Sequence, residues 1–388
     1  MRFCVDAHAI GRNLTGNEVY VRNLLKGFAA QDGQSEFIAY ISEAGAEREL
    51  PERFQWRRVS ANPFVRLGYQ MNRHLAQDRA DLVHVQYTAP IRCRVPVVVS
   101  VHDVSYLEHP EYFPPARVAQ LKMTVSRTVR RAACVIAPSE FSARRIRDAY
   151  GVGEDRIRAV PIAVSSAFRP LPQDMARGQV RERFGVGHPY VLMVGDLQPR
   201  KNQTGLIHAF EQLLRTYPDL PHRLVLAGKD SWYADRIRAA AAASAVAERI
   251  VFTGPVSDAE LLSLYNGCDL FVFPSHYEGF GLPILEAMAC GRAVACSNAT
   301  AMLEVADSAG LVFNPESTVE MVRAMADLLL DAELRSRMER LGLQHAHSFR
   351  WEETARKTLA IYYEVAERLR GRTGAVVAGQ GKIEVRQG

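Results

Sequence analysis

The chain has 388 residues, which favours two domains, because single hydrophobic cores stop growing at about 250–300 residues. Hydrophobic residues make up 48% and charged residues 23%, a balance typical of a soluble globular protein with a large core. The net charge of +5 is compatible with anionic substrates or a peripheral membrane contact, and it does not favour nucleic-acid binding.

The sequence contains no predicted membrane span and no predicted disulfide framework. No apolar run reaches about 18 residues, and the first residues lack the apolar segment of a signal peptide. The six cysteines are scattered without a Cys-x-x-Cys pair, so we expect mostly buried thiols. We therefore expect a cytoplasmic protein, at most bound to the inner face of the membrane.

Short apolar runs alternate with segments of helical periodicity, which predicts βαβ units and parallel sheets. Five runs predict the strands of a first domain: Arg2–Ala7, Phe37–Ile41, Leu82–Val85, Pro96–Val101 and Cys134–Ala137. Six runs predict those of a second: Tyr190–Gly195, Leu224–Ala227, Ile250–Thr253, Asp269–Phe273, Ala293–Cys296 and Leu311–Phe313. We predict an α/β fold of two Rossmann-like domains whose strand carboxyl ends, where ligands bind, face one cleft.

The domain division follows from composition. Residues 1–168 are predicted to form the first domain and residues 189–350 the second, joined by the proline- and glycine-rich connection 169–188. A terminal helix at 351–370 carries an apolar stripe and is expected to cross back to the first domain. The tail 371–388 has little apolar content and is expected to be disordered.

His102 follows the predicted strand Pro96–Val101 and precedes Asp103. A side chain at the carboxyl end of a parallel strand points into the cleft between two such domains. We predict that His102 is a catalytic residue that donates or accepts a hydrogen bond near the reacting carbon. A purely structural histidine is the alternative.

One segment organises the second domain. It reads Glu278-Gly-Phe-Gly-Leu-Pro-Ile-Leu-Glu286 and lies between two predicted strands, with Pro283 in the first turn of a helix that Gly291 can end. Backbone amides at such a helix start bind phosphate, and glycines allow its close approach. With carboxylates to bind sugar hydroxyls, the segment predicts a nucleotide-sugar site. Two solvated structural carboxylates are the alternative.

This segment resembles the signature of the retaining glycosyltransferases of family 4 over Pro274-Ser275, Tyr277 through Ala289, and Gly291. The resemblance implies the GT-B fold of two facing Rossmann-like domains. It implies a catalytic role for Glu278 at the hydroxyls of the donor sugar. It also implies donor contacts along the loop and helix, with Glu286 binding the ribose hydroxyls: Gly279, Phe280, Gly281, Leu282 and Glu286.

Two further segments match family elements. Thr15-Gly16 matches a glycine-rich loop that contacts the donor phosphates or the acceptor, with Asn17 in place of its second glycine, so Gly16 is assigned to the donor site. A plain strand–helix turn is the alternative. Val256, after the strand Ile250–Thr253, matches a position that lines the pocket for the base.

The stretch Gly195-Asp-Leu-Gln-Pro-Arg-Lys-Asn202 resembles the family's Gly-x-Leu-x-x-x-Lys-Asn element, which places Gly195 at the donor. Arg200 and Lys201 are expected to bind the leaving diphosphate, and Asp196 stands where many members have arginine. A solvated positive pair at a turn is the alternative.

The predicted reaction is retaining, metal-independent transfer of a hexosyl group from a nucleotide-sugar to an acceptor hydroxyl, in polysaccharide or glycolipid assembly. No Asp-x-Asp pair follows a strand to hold a metal, so the helix dipole, Lys201 and Arg200 would offset the charge of the diphosphate. His102-Asp103 with His109-Pro110-Glu111 resembles bacterial mannosyltransferases, which favours GDP-mannose as donor over a UDP-hexose. No cofactor is expected.

Other functions suit the same architecture. A nucleotide-sugar epimerase needs no acceptor, a phosphorylase-like enzyme consumes free phosphate, and a non-catalytic protein would only bind the sugar nucleotide. A dinucleotide oxidoreductase is disfavoured, because no Gly-x-Gly-x-x-Gly follows the first strand of either domain.

The partners expected beside the donor are a saccharide or lipid-linked saccharide acceptor and an anionic membrane surface. The basic residues of one predicted helix suit such a surface, and a solvated helix face is the alternative. These residues are Arg117, Lys122, Arg127, Arg130 and Arg131.

Overall fold

Two parallel sheets form the framework of the chain in the computed structural model, which describes residues 1–12, 15–187 and 189–379. The first sheet has seven strands in the order β3-β2-β1-β4-β5-β6-β7. These are β1 (Arg2–Asp6), β2 (Glu36–Ile41), β3 (Gln55–Arg58), β4 (Leu82–Gln86), β5 (Val97–Ser100), β6 (Cys134–Ala137) and β7 (Ile157–Ala159). The strand order changes direction at β1, as in doubly wound folds, and places ligand sites at the carboxyl ends of the central strands.

The second sheet has six strands in the order β10-β9-β8-β11-β12-β13. These are β8 (Tyr190–Val194), β9 (Arg223–Ala227), β10 (Ile250–Gly254), β11 (Leu270–Phe273), β12 (Val294–Ser297) and β13 (Leu311–Phe313). Every pairing in both sheets is parallel. The predicted α/β fold with two parallel sheets is confirmed.

The predicted strands all appear, each within two residues of its predicted ends, and the sequence missed two edge strands. β3 reads Gln-Trp-Arg-Arg and is largely exposed, so it has no apolar run. β7 has three residues, all only partly buried. Central strands are different, because helices cover both of their faces and every residue of β4, β5 and β6 is buried.

Helices connect the strands on both faces of each sheet. In the first half they are α1 (Thr15–Gln31), α2 (Pro63–Val65), α3 (Met71–Gln77), α4 (Ser105–Glu108), α5 (Pro115–Arg131) and α6 (Glu140–Tyr150). In the second half they are α7 (Gln173–Phe184), α8 (Gln203–Thr216), α9 (Ala234–Ala243), α10 (Asp258–Gly267), α11 (Leu282–Ala289), α12 (Met302–Ala306), α13 (Thr318–Leu330), α14 (Ala332–Ala346) and α15 (Trp351–Gly379).

Helix α7 occupies most of the segment 169–188 that the sequence suggested was a connection. It buries Ala176 and Val180, and it packs against α10, where Arg183 Nε lies 2.6 Å from Glu260 Oε1. Its many charged residues hid this amphipathic pattern in the sequence. We keep the domain boundaries at 168 and 189 as a proposal, with α7 lying against the second sheet's helices.

Helix α15 packs on the first sheet and α1. The Tyr362 ring contacts Phe3 with centroids 5.1 Å apart, and its hydroxyl lies 2.5 Å from His84 Nδ1. The neighbouring Tyr363 hydroxyl donates a 2.6 Å hydrogen bond to Asp32 Oδ2. These contacts hold helix α15 against the first domain.

The same helix is longer than the sequence suggested. It continues to Gly379, and the expected disorder of residues 371–379 stays a prediction. The expected disorder of 380–388 lies outside the described residues.

All six cysteines are free thiols, and five are buried, as expected from their apolar surroundings. Cys93 is partly exposed. Among the described residues, no helix is long and apolar enough to cross a bilayer.

Candidate active site

The loop after β11 places Glu278 between two cations. Lys201 Nζ lies 2.6 Å from Glu278 Oε1, and Arg200 Nη1 lies 2.6 Å from Glu278 Oε2. Both cations come from the short turn Pro199–Lys201 that follows β8, the strand next to β11 in the sheet. Adjacent parallel strands end at the same edge, so residues distant in sequence meet there.

Each member of this triad is held by further contacts. Arg200 Nη1 also donates a 2.6 Å hydrogen bond to the carbonyl of Tyr277, and Lys201 Nζ lies 4.8 Å from the centre of the Phe273 ring. The Glu278 amide donates to the hydroxyl of Thr300. The three charged side chains therefore have fixed orientations.

The electrostatics of Glu278 follow from this pairing. Burial would raise its pKa, but the positive charges of Arg200 and Lys201 outweigh burial and lower the pKa to about 2. Burial also lowers the pKa of Lys201, an effect that Glu278 opposes. Glu278 is thus ionised at neutral pH.

Glu286 lies in a different environment. Its carboxylate is buried and accepts one 2.8 Å hydrogen bond, from the Tyr265 hydroxyl on α10. Burial raises the pKa of Glu286 to about 7, while the Tyr265 hydrogen bond and the charge of Lys201 oppose the rise. Glu286 lies in the second turn of α11, which begins at Leu282.

The start of α11 has free backbone donors. Gly281 precedes the helix with φ of 105°, a left-handed conformation that suits glycine. In the described part of the chain, the amides of residues 279–282 donate no hydrogen bond, and Pro283 has no amide hydrogen to donate. Unsatisfied N–H groups at the start of a helix are typical binding sites for anions.

His102 faces this loop from the first domain. Its Nε2 lies 3.2 Å from Gln86 Oε1, and its ring packs edge-on against Tyr20 with centroids 4.8 Å apart. Burial lowers the pKa of His102 to about 4, although Asp103 opposes the effect. The imidazole is therefore neutral at physiological pH, which suits hydrogen bonding better than proton transfer.

The two domains touch at Gly279. A Cβ atom at this position would lie 1.9 Å from the carbonyl oxygen of His102, so only glycine fits. The Gly279 carbonyl accepts hydrogen bonds of 2.7 and 2.9 Å from the hydroxyls of Ser139 and Ser142, which lie at the start of α6. Glycine is therefore required here because the two domains are in contact at this position. The predicted contact of Gly279 with the donor stays a prediction.

Glu304, on α12, adds a second contact between the domains. Its carboxylate oxygens accept hydrogen bonds of 2.8 and 3.1 Å from the amides of Glu140 and Phe141. These amides belong to the first turn of α6, where a carboxylate also interacts favourably with the helix dipole. Glu304 therefore caps a helix of the opposite domain.

The other predicted donor residues lie around these groups. A Cβ on Gly195 would lie 3.2 Å from the Lys201 side chain, so glycine makes room for the lysine. Phe280 is buried, and Leu282 and Val256 are partly buried against the same apolar cluster. Gly16 lies at the start of α1 and has no atom within 4 Å of an added Cβ.

The structure thus brings Arg200, Lys201 and Glu278 together, and the His102 backbone lies against Gly279 of the same loop. Lys201 lies near both carboxylates, since its charge acts on Glu278 and on Glu286. Gln86 links the start of α1 to His102, because its amide donates to the carbonyl of Asn17. The Phe280 side chain instead lies in the core, with its ring against Phe349.

The residues that position these groups were not predicted from the sequence. Tyr265 holds the Glu286 carboxylate, Thr300 holds the backbone amide of Glu278, and Gln86 holds His102, but each lies in an unremarkable stretch. A further polar pair lies at the end of β1, where His8 Nδ1 is 2.9 Å from the buried Asp6 Oδ1. The signal available in the sequence for Asp6 and Gln86 was their position at the carboxyl end of a predicted strand.

Metal ligands were not predicted. Among the described residues, no group of three or more His, Cys, Asp or Glu side chains is placed to hold a metal ion.

Comparison with known proteins covers both domains. The sequence matches the family described as Glycosyltransferase Family 4 over residues 14–168 and the family described as Glycosyl transferases group 1 over residues 179–345. The O-antigen chain mannosyltransferase B of Escherichia coli is 33% identical over 265 residues, which are 68% of this chain and 69% of that protein.

Solved structures share the fold. Sucrose-phosphate synthase from Thermosynechococcus elongatus has a TM-score of 0.77 at 20% identity, covering 94% of this chain and 98% of that one. Anabaena HepE in complex with UDP and glucose has a TM-score of 0.72 at 19% identity, covering 94% and 99%. At these identities the similarity is one of fold.

Proposed function

We propose that this chain, which belongs to the family 4 glycosyltransferases and has the GT-B fold, transfers a hexosyl group from a nucleotide-sugar to an acceptor hydroxyl. The proposed transfer retains the anomeric configuration and needs no metal ion. One observation carries the proposal: the free amides of residues 279–282 lie next to Glu278 and its two cations. A diphosphate has the negative charge that such donors and cations bind.

The cations would act on the leaving group. In the proposed complex Arg200 and Lys201 share their hydrogen bonds between Glu278 and the diphosphate oxygens, so charge that develops on the phosphate meets fixed donors. Removing one such donor from an oxyanion-type site typically costs about 3–4 kcal/mol of transition-state stabilisation. Glu278 positions both cations and is available to hydroxyls of the donor sugar.

The remaining residues would hold the two sugars. Glu286, buried beside α10, accepts hydrogen bonds from the ribose hydroxyls in its ionised form. His102, neutral and oriented by Gln86, hydrogen-bonds the transferred sugar from the opposite domain. In this proposal the acceptor meets the polar groups at the carboxyl edge of the first sheet, where His8 pairs with Asp6.

Mannose is the proposed sugar. The support is the similarity to the O-antigen chain mannosyltransferase B, with the His102-Asp103 element beside it. GDP-mannose is therefore the first donor to test, and a UDP-hexose is the second. The proposed acceptor is a saccharide or lipid-linked saccharide of polysaccharide or glycolipid assembly.

A peripheral membrane contact is proposed for the first domain. Phe64 and Tyr69 are 86% and 64% exposed on the segment between β3 and α3, and Met123 is 70% exposed on the basic helix α5. Apolar and basic side chains on one domain suit an anionic membrane surface. Co-sedimentation with phosphatidylglycerol vesicles tests this contact, and a protein that stays in the supernatant contradicts it.

The proposed reaction is tested in two steps. Thermal unfolding with UDP-, GDP-, ADP- and TDP-sugars should show stabilisation by one donor, about 2.7 kcal/mol at a concentration 100 times its Kd. Product analysis by NMR with mannosyl acceptors should then show the anomeric configuration of the donor, unchanged by EDTA. His102→Ala should lower kcat more than it weakens donor binding.

The alternatives give different outcomes. Sugar interconversion with donor alone would indicate an epimerase, and sugar phosphate formed with orthophosphate would indicate a phosphorylase. Donor binding without any turnover would leave a binding protein. An inverted product, or full loss of turnover in EDTA, would contradict the retaining, metal-independent reaction.

A further inference from the structure

A cavity of about 440 Å³ opens in the first domain, away from the cleft. Six arginines line it: Arg92, Arg94, Arg127, Arg131, Arg156 and Arg368. In the part of the chain that the structure describes, no aspartate or glutamate lines it. Six positive charges around one opening make a strongly positive local potential.

The cavity is at the opposite edge of the sheet from the proposed donor site. Val97, the first residue of β5, and Ala133, just before β6, both line it. His102 lies beyond the other end of β5, a four-residue strand and so roughly 13 Å long. An anion in the cavity would therefore not contact the residues of the proposed transfer.

Two of the arginines are held in place by backbone carbonyls. Arg156 Nη1 donates to the carbonyls of Arg130 and Ala132 at 3.2 and 3.4 Å, and Arg368 Nη2 donates to that of Ala133 at 2.9 Å. The Nε of Arg368 is buried and has no partner among the described residues. This donor is therefore unsatisfied.

The other four arginines lack protein partners. Within the described ranges, the side chains of Arg92, Arg94, Arg127 and Arg131 make no hydrogen bond or ion pair. The nearby Glu364 is bound to Arg158 at 3.2 Å, so it does not neutralise them. Like charges gathered without a counter-ion repel one another, and a bound anion would relieve that repulsion.

We propose that this cavity is a binding site for a phosphate-bearing anion with at least two negative charges. The planar guanidinium group presents paired N–H donors that match phosphate oxygens, and several of them can share one ligand. The phosphate can belong to free pyrophosphate or to the headgroup of an anionic lipid. This site does not depend on the transfer reaction proposed above.

Cys93 provides a local probe for this site. It lines the cavity and is partly exposed, whereas the other five cysteines are buried. An anion in the cavity would cover it and slow its alkylation by N-ethylmaleimide, which intact mass spectrometry follows. At ten times its Kd, inorganic pyrophosphate should slow labelling about tenfold, because about nine-tenths of the sites are then occupied. Cys93→Ser should abolish the rapid labelling by N-ethylmaleimide, which would confirm that Cys93 is the thiol labelled.

Matched variants on α5 separate this site from general charge effects. In Arg127→Ala/Arg131→Ala the protection should be lost. In Arg117→Ala/Lys122→Ala, which removes two positive charges from the same helix outside the cavity, it should persist. Pyrophosphate at the start of α11 does not cover Cys93, so occupation of that site is not confused with occupation of this one.

Vesicles distinguish the two sources of phosphate. Protection by phosphatidylcholine vesicles containing cardiolipin, whose headgroup carries two phosphates, but not by pure phosphatidylcholine or by pyrophosphate, identifies a lipid headgroup. Protection by pyrophosphate identifies a soluble anion. The proposal is overturned if neither ligand slows labelling, or if both variants are protected equally.

Discussion

The loop that carries Glu278 and the helix that carries Glu286 are adjacent in sequence, yet they place their carboxylates in opposite environments. Glu278 lies between Arg200 and Lys201, and its pKa falls to about 2. Glu286 is buried to the same extent, but its carboxylate accepts a hydrogen bond from the Tyr265 hydroxyl and contacts no cation among the described residues, and its pKa rises to about 7. Both carboxylates are buried, so the two cations in contact with Glu278 account for the difference between the two pKa values.

This contrast separates two roles that the motif alone does not distinguish. A carboxylate that is always ionised can hold two cations in position for a diphosphate. A carboxylate that titrates near neutral pH can bind hydroxyls when a donor is present and avoid a buried charge when it is absent. Substitutions can remove one side of this contrast at a time.

The largest effect is expected from Lys201→Ala. It removes a diphosphate ligand and leaves Glu278 buried with one cation, so turnover should fall by a factor of about 100–1,000. Steady-state kinetics and nucleotide-diphosphate titration measure this loss. Lys357→Ala, which removes an exposed lysine that pairs with Glu353, is the control and should leave turnover unchanged. Normal turnover in Lys201→Ala would remove the lysine from the site.

Glu286→Gln should change the pH dependence of stability. Because the pKa of Glu286 is raised to about 7 from 4.5, the folded state binds the proton more tightly, and stability falls as pH rises between these values. The expected fall is up to about 3 kcal/mol, since one pKa unit is 1.36 kcal/mol. Glutamine does not titrate, so the variant should lose this dependence in urea unfolding at pH 5 and pH 8.

Glu278→Gln should change stability in the opposite direction from Glu286→Gln. The ionised form of Glu278 contributes stability above its unfolded pKa of about 4.5, and this contribution is lost as pH falls through about 2. Glutamine should therefore destabilise the protein at pH 8, where Glu286→Gln should stabilise it. If both variants shift stability in the same direction at pH 8, the contrast between the two carboxylates is wrong.

The smallest effect is expected from Tyr265→Phe. The lost hydrogen bond favoured the ionised form of Glu286, so its pKa should rise further, by about one unit or 1.4 kcal/mol. The midpoint of the pH-dependent stability change should move upward accordingly. In a Glu286→Gln background this transition should be absent with or without Tyr265→Phe, and a pH-dependent change caused by Tyr265→Phe there would show that Tyr265 acts on another group.

Much of the fold could be predicted from the sequence. The central strands are continuous apolar runs because helices cover both faces, and their alternation with amphipathic segments indicates parallel sheets. β3 could not be predicted, since an exposed edge strand needs no apolar run. Helix α7 was partly hidden because only Ala176 and Val180 are buried on it.

The candidate site was predictable only as a set of residue types. The spacing of Glu278 and Glu286, the glycines between them and the Arg200-Lys201 pair are local features, so they can be read along the chain. Gly279 was interpreted as space for a phosphate, whereas the structure requires glycine there because the carbonyl of His102 lies against it. A contact between domains has no local signal.

The sequence by itself determined the two sheets, the position of the loop at the end of β11 and the residues available for chemistry there, because strand and helix patterns are properties of neighbouring residues. The tertiary structure decided which charges meet. Lys201 and Glu278 are brought together by the pairing of β8 with β11, and Tyr265 reaches Glu286 from another helix. Since a pKa depends on distance and burial, only the folded chain sets the different charge states of the two glutamates.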